Sequence, residues 1–429
     1  MAGDDGLLDD IAAAVAARRD ATVRLLTDLV SEPSTLGNER GVQDRMEAEF
    51  RSMGLAIDRF EPDPAALAGH PGLSPPVLDS YAGRDNVVGI HRPAEATGRP
   101  LIFNGHVDVV PPGPDALWTT PPFAPSIRDG RMYGRGAGDM KSGIAAYCTA
   151  FAALADLGLQ PAAPVYLQSV IEEECTGNGA LACVHRGYRA DAAIIPEPFD
   201  QTLLVGQLGV LWLTVDVVGK PAHVLDTSAG VNAIEAAYAL FGALRGLEEA
   251  WNAPAARHPL YRDHPHPVNF NLGRIRGGDW PSSVPAAASM DIRVGFQPGV
   301  SVAEARRAVE ERIGEAAQTL PALRGAGVAI SYRGFHAEPC VMDPSGAMME
   351  ALARVHLDVT GDPVRLLAST ATTDARFFAL YGDTPVTCYG PVGGGYHGVD
   401  EWVSIDSMIE VAAVLAVFMA RWCGVEKRV

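Results

Sequence analysis

No stretch of the sequence reaches the ~18 consecutive apolar residues that a membrane-crossing helix needs, so no helical span is expected. Basic clusters are just as scarce. Lys and Arg number 34 against 52 Asp and Glu, a formal charge of -18, whereas a nucleic-acid backbone demands clustered cations. Neither nucleic acid nor a membrane is therefore expected as a partner. Cysteine is sparse: Cys148, Cys175, Cys183, Cys340, Cys388 and Cys423 show no paired zinc-ribbon spacing. Residues 1–10 are acidic with no basic n-region, so the cysteines read as reduced thiols of a cytoplasmic protein. The glycine-dense run at 134–141 lacks the Gly-Lys-Ser/Thr ending of a phosphate loop, which argues against nucleotide cradling there. Internal repeats and low-complexity tracts are missing as well.

What is present is a globular composition, 48% hydrophobic and 20% charged, on a chain too long for one ordinary core. Apolar spacing predicts one long helix over 7–30, stopped before Pro33, and a second over 40–53 closed by Gly54. Short apolar strands at 86–90, 100–104, 164–171 and 192–195 alternate with helices at 141–157 and 178–188. That pattern predicts an α/β sheet with helices on both faces. Near Gly209 the order changes to βαββαβ, with strands at 210–218, 268–275, 286–296 and 328–332 and helices at 231–247 and 302–316. This is a ferredoxin-like α+β unit. The α/β pattern resumes with helices at 345–359 and 405–422 and a strand at 385–389. The expected organisation is a catalytic domain over 1–208 and 335–429, interrupted by a second domain over 209–334. Proline-rich loops at 61–84, 111–130 and 252–267 are expected to shape a rim.

The chemistry gathers at predicted strand ends, where α/β proteins bind ligands. His106 and Asp108 lie two apart, so they can share one face of a strand. Asp139 opens a helix from a glycine loop, where it also suits an N-cap. Glu172, Glu173 and Glu174 follow one apolar strand directly. Three adjacent carboxylates repel one another; a cation relieves that cost, and one left unligated can serve as a general base. Glu197 ends a further strand, and His397 sits in a glycine-rich loop. Each residue alone has an ordinary structural explanation. Two histidines and several carboxylates at strand ends together read as a metal site.

The motif order is Gly-His-x-Asp-Val-Val-Pro at 105–111, Gly-Arg-Gly-x-x-Asp-Met-Lys at 134–141, Glu-Glu, Glu-Pro, and a late histidine followed by Asp-Glu-Trp at 400–402. It resembles the co-catalytic zinc deacylases and carboxypeptidases, a family that includes acetylornithine deacetylase, succinyl-diaminopimelate desuccinylase, aminoacylase and bacterial glutamate carboxypeptidase. The resemblance implies a zinc-exopeptidase-like catalytic domain with a central mixed sheet, and a lid and dimerisation role for the inserted domain. It implies two divalent ions, zinc first with Co²⁺ or Mn²⁺ as alternatives, one held by His106, Asp139 and Glu197 and the other by Asp139, Glu174 and His397. Asp108 would fix the tautomer of His106, Glu173 would be the general base, and the Asp139–Met140 peptide would be cis. Gly-Lys-Pro-Ala-His at 219–223, continued by Gly-Val-Asn-Ala-Ile at 230–234, matches the segment whose histidine crosses a homodimer interface. His223 would then bind the developing oxyanion, with Asn232 beside it as a substrate contact. Arg293 and Arg376 would clamp a substrate carboxylate, although Ser283 replaces an asparagine common in relatives.

The expected reaction is hydrolysis of a small N-acyl amino acid or related amine by metal-activated water. The Trp-Pro-Ser-Ser-Val-Pro form at 280–285 also resembles a branch containing formyl-aminopyrimidine deformylase. An aromatic or pyrimidine amine derivative, or a dipeptide, is therefore the alternative substrate. A metal-binding protein without catalysis is disfavoured, because every catalytic position of the family is occupied.

Overall fold

The computed structural model describes residues 4–428. Its main sheet has six strands, in the spatial order Ala56–Phe60, Asn86–His91, Val165–Val170, Leu101–His106, Ala192–Ile195 and Val386–Cys388. Pairing is antiparallel between the first three strands and parallel across the rest, so the sheet is mixed. The parallel strands are buried on both faces, Leu101–His106 along its whole length, as helix-covered parallel strands are. Two helices, Ser142–Asp156 and Ile405–Cys423, pack against each other beside this sheet. Both are rich in buried alanine, including Ala145, Ala146, Ala150, Ala412 and Ala416. Small side chains let the helix backbones approach, and a helix apolar on all sides belongs in a core. Among the described residues no helix is long and apolar enough to cross a membrane.

The second sheet has Phe270–Gly277, Ala287–Phe296, Gly209–Val218 and Gly327–Ser331 in that spatial order, all antiparallel, with the short fifth strand His336–Ala337 also paired to Gly209–Val218. Numbered along the chain this is 2-3-1-4, the arrangement of a ferredoxin-like βαββαβ unit. Alternate residues of Gly209–Val218 are buried, including Leu211, Leu213, Val215 and Val217. They form an apolar cluster with Ala236, Leu240 and Leu244 of helix Ala233–Asn252 and Val309 and Ile313 of helix Val302–Thr319. That cluster is separate from the one around the main sheet. Helix Val302–Thr319 starts with a capping box between Ser301 and Glu304, which satisfies two otherwise orphaned amides.

Some local expectations are corrected. The single helix over 7–30 is two helices, Asp4–Ala17 and Arg19–Ser31. No glycine or proline marks the break at Arg18, whose guanidinium reaches Asp156 at 2.5 Å. Several short strands escaped the periodicity argument. Leu203–Gln207 pairs with Leu366–Ser369 and Cys340–Val341, and Arg131–Tyr133 pairs with Ser126–Arg128 and Trp402–Ser404. Two to five residues are too few for a period-2 signal to emerge.

Candidate active site

The candidate site lies beyond the carboxyl ends of the parallel strands, because three of them release their functional residues there. Leu101–His106 ends on His106, Val165–Val170 runs into the glutamate turn, and Ala192–Ile195 precedes Glu197. The His106 ring is 1% exposed. Its Nε2 lies 3.1 Å from Asp139 Oδ1, 3.8 Å from Glu197 Oε1 and 4.0 Å from Glu173 Oε2. The other Asp139 oxygen, Oδ2, lies 3.5 Å from His397 Nε2, which is 3.0 Å from Glu174 Oε2. One carboxylate thus faces an imidazole with each of its oxygens. Ligand atoms of His106, Asp139 and Glu174 all lie within 4.8 Å of one another. The set of imidazole nitrogen and carboxylate oxygen suits a borderline divalent ion such as zinc.

The electrostatics agree with that donor set. Burial opposes ionisation of Asp139, but hydrogen bonds with His106 and His397 hold its carboxyl below the usual range. Glu197 is pushed up, first by burial and then by the carboxylates of Asp139 and Glu174. Glu173 is pushed up by burial and by the charges of Asp374, Glu197 and Glu174. The His397 imidazole is raised to about 11 by its hydrogen bonds to Asp139 and Glu174. So much unrelieved negative charge in a buried space is what a divalent cation compensates.

The run of three glutamates divides. Glu172 turns away from the cluster, with a positive φ of 65°. It receives hydrogen bonds from Arg84 Nη1, the Tyr81 hydroxyl and the Thr176 hydroxyl, each at 2.6 Å. Arg84 also pairs with Glu39. Repulsion within the run is therefore relieved in part by a buried arginine, and only Glu173 and Glu174 join the cluster.

Asp108 departs from expectation. Its carboxylate lies 3.7 Å from His106 Nδ1, while its own main-chain carbonyl is the 2.9 Å partner of that nitrogen. The carboxylate instead accepts hydrogen bonds from the amides of Glu173 and Glu174, both at 3.1 Å. It holds the glutamate turn rather than the imidazole. Burial pushes it up to about 7.

Two residues expected to contact substrate have partners within the chain. Arg376 is 1% exposed, and its guanidinium donates to the carbonyls of Thr373 and Thr176 at 2.7 and 3.0 Å while stacking on Phe377. These partners tie the start of helix Ala375–Tyr381 to the end of the glutamate turn. Asn232 caps helix Ala233–Asn252: its Oδ1 accepts from the amides of Ile234 and Glu235, and its Nδ2 donates to Glu235. By contrast, among the described residues the hydrogen bonds of Arg293 are long, 3.4 Å to the Asn269 carbonyl and 3.5 Å to the Thr370 carbonyl. His223 lies exposed on the inserted unit, outside the cluster, with its Nδ1 accepting from the Leu225 amide at 3.1 Å.

A further residue organises the site. Glu401 is 1% exposed. One of its oxygens accepts from the Gly138 and Asp139 amides, both at 2.9 Å, and the other pairs with Arg135 at 2.5 Å. It braces the loop that carries Asp139, whose peptide to Met140 is cis. The Asp-Glu-Trp motif contained it, but only the fold shows what it holds.

A mixed α/β sheet with imidazoles and carboxylates converging at its strand ends defines a metal-dependent hydrolase. The chain belongs to peptidase family M20/M25/M40, whose model matches residues 102–421. It is similar to the succinyl-diaminopimelate desuccinylase of Rhodospirillum centenum, at 30% identity over 424 residues covering 95% of this chain and 98% of the relative. It is also similar to the N-formyl-4-amino-5-aminomethyl-2-methylpyrimidine deformylase of Halalkalibacterium halodurans, at 29% identity over 376 residues covering 83% and 87%. Its fold matches the di-peptidase Dug1p from Saccharomyces cerevisiae with a TM-score of 0.79 at 15% identity, over 97% of this chain and 98% of the other. The protein is thus an enzyme of a family acting on amide bonds.

Proposed function

We propose that this enzyme hydrolyses the N-acyl amide bond of a small N-acyl amino acid or related amine, using two divalent ions, zinc foremost. The carrying observation is the Asp139 carboxylate, with one oxygen toward His106 and the other toward His397. On this reading Asp139, His106 and Glu197 would hold one ion, and Asp139, Glu174 and His397 would hold the other. Bound there, the ions would polarise the scissile carbonyl and acidify water. Glu173 removes the proton of the attacking water and delivers it to the leaving nitrogen. Asp108 sets the Glu173 backbone for this task through its hydrogen bond to that residue's amide. With Arg376 committed elsewhere, Arg293 is left as the cation for a substrate carboxylate.

The working form we infer is a homodimer in the cytoplasm, with the inserted unit over 209–334 as lid and dimerisation domain. Two separate apolar clusters support that division, and six free cysteines suit a reducing compartment. The Glu173→Gln variant tests the chemistry: kcat should fall by ~10²–10⁴-fold while bound metal, assayed by mass spectrometry, stays at the wild-type level. A near-normal rate would remove Glu173 from its role. A substrate panel of acetyl, formyl, succinyl and dipeptide compounds then fixes the acyl group. Preference for amines lacking a carboxylate would favour the deformylase-like alternative.

A further inference from the structure

Tyr396 interrupts a glycine run: Gly393, Gly394 and Gly395 precede it, and His397 and Gly398 follow. An aromatic ring in so permissive a loop needs a reason, and its contacts supply one. Its hydroxyl donates to the Pro198 carbonyl at 2.8 Å, across 198 positions of the chain. Its ring lies on bare backbone. A Cβ at Gly138 would stand 2.8 Å from ring atom Cε1, and a Cβ at Gly393 would stand 2.8 Å from the hydroxyl oxygen. Glycine at both positions leaves the space that this one side chain fills.

Three segments meet at this ring. Gly138 precedes Asp139, Pro198 follows Glu197, and Tyr396 itself precedes His397. The three are not equally secure. Glu197 is 4% exposed. Its turn is closed by its own amide to the Ile195 carbonyl at 2.8 Å and by the Phe199 amide to the Glu197 carbonyl at 2.7 Å. Asp139 is braced through its amide by Glu401. The side chain of His397, by contrast, is 56% exposed, and its backbone takes a positive φ of 59°. A residue other than glycine keeps such a conformation only where its surroundings enforce it. Contacts on both sides do so. After His397, the Gly398 carbonyl accepts from Arg135 Nη2 at 2.8 Å. Before it, the Tyr396 hydroxyl ties the loop to Pro198.

We propose that Tyr396 is a positioning residue: its hydroxyl fastens the loop carrying His397 to the segment carrying Glu197, and its ring holds both against the backbone before Asp139. It thereby sets the spacing of one side chain from each proposed ion site across the carboxylate they share. The inference rests on the reading of His397, Glu197 and Asp139 as ligands. It assigns Tyr396 no contact with metal or substrate. The Glu197 turn and the Asp139 loop have anchors of their own. Losing the hydroxyl therefore frees the His397 loop and leaves the rest in place.

The experiment challenges Co²⁺-loaded wild type, Tyr396→Phe and His397→Ala with increasing chelator. The visible absorption of bound Co²⁺ and the metal content by mass spectrometry follow the ions, and the thermal midpoint is read at saturating Co²⁺. Phenylalanine keeps the ring against Gly138 and Gly393 and removes only the hydroxyl. In Tyr396→Phe the affinity for one of the two ions should fall about 10–100-fold, the usual cost of losing a group that orients ligands. The other ion should stay near wild type, and so should the midpoint. Unchanged affinity for both ions overturns the proposal. Equal weakening of both overturns it as well, since that marks a general loosening of the fold. His397→Ala keeps the two readings apart. If it retains two ions as tightly as wild type, His397 is no ligand and the two-ion reading fails, whatever Tyr396→Phe does. If it loses one ion while Tyr396→Phe binds both as wild type does, the positioning role alone fails.

Discussion

At the scale of single residues, three glutamates in a row meet three fates. Glu172 is fully buried against Arg84, Glu173 presents one oxygen to the cluster, and Glu174 reaches His397. A buried ion pair contributes little net stability compared with a well-packed apolar pair, but removing one partner leaves an uncompensated charge. Arg84→Met strands both Glu39 and Glu172, which are 0% exposed. It should therefore destabilise the fold by about 3–5 kcal/mol, read as a drop in the urea midpoint. Glu172→Gln keeps hydrogen-bond capacity toward Tyr81 and Thr176 and should cost less. Equal and negligible losses in both variants would show that the pair is not integral to the turn.

At the scale of elements, the site is stitched together by pieces too short to recognise from periodicity. Strand Trp402–Ser404 pairs with Arg131–Tyr133, tying the segment after His397 to the loop before Asp139. Glu401, just ahead of that strand, holds the Gly138 and Asp139 amides. Supporting groups of this kind commonly carry 10–100-fold of metal affinity. Glu401→Ala should accordingly weaken metal binding by about 10–100-fold in competition with a chelator, although every proposed ligand side chain is kept. Unaltered affinity would make Glu401 a purely local strut. The long helices and strands, with their change of pattern near Gly209, were legible because their apolar spacing repeats over many residues. The convergence of His106, Asp139, Glu174, Glu197 and His397 was legible because motif order survives in one dimension. Glu401 and the withdrawal of Glu172 and Arg376 were not. Each depends on which distant backbone or side chain lies opposite, and the hydrogen bond from Arg376 to the Thr176 carbonyl crosses 200 positions.

At the scale of the whole molecule, the chain leaves apolar side chains uncovered on the inserted unit. Leu225 is 89% exposed, Tyr238 71% and Trp280 68%, all in the unit that also carries His223. Strand Phe270–Gly277 is the outer strand of its sheet, and an outer strand offers unpaired amides and carbonyls to a partner. In the homodimer proposed above, these side chains and this outer strand are the candidates for the interface, which twofold symmetry would build from the same residues of both copies. If His223 serves the site of the other copy, two inactive variants should complement each other. Co-expressed His223→Ala and Glu173→Ala chains form mixed dimers in which one site has both an intact Glu173 and an intact His223 from its neighbour. Random pairing makes half of all dimers mixed, with one sound site each, so the mixture should regain about a quarter of the wild-type rate. If His223 served its own chain, every site would lack one residue or the other, and activity would not exceed that of the parents. Leu225→Asp addresses the patch directly. It should shift the mass measured by light scattering from dimer to monomer and lower the rate with it, and a monomer of full activity would show that the site is complete within one chain.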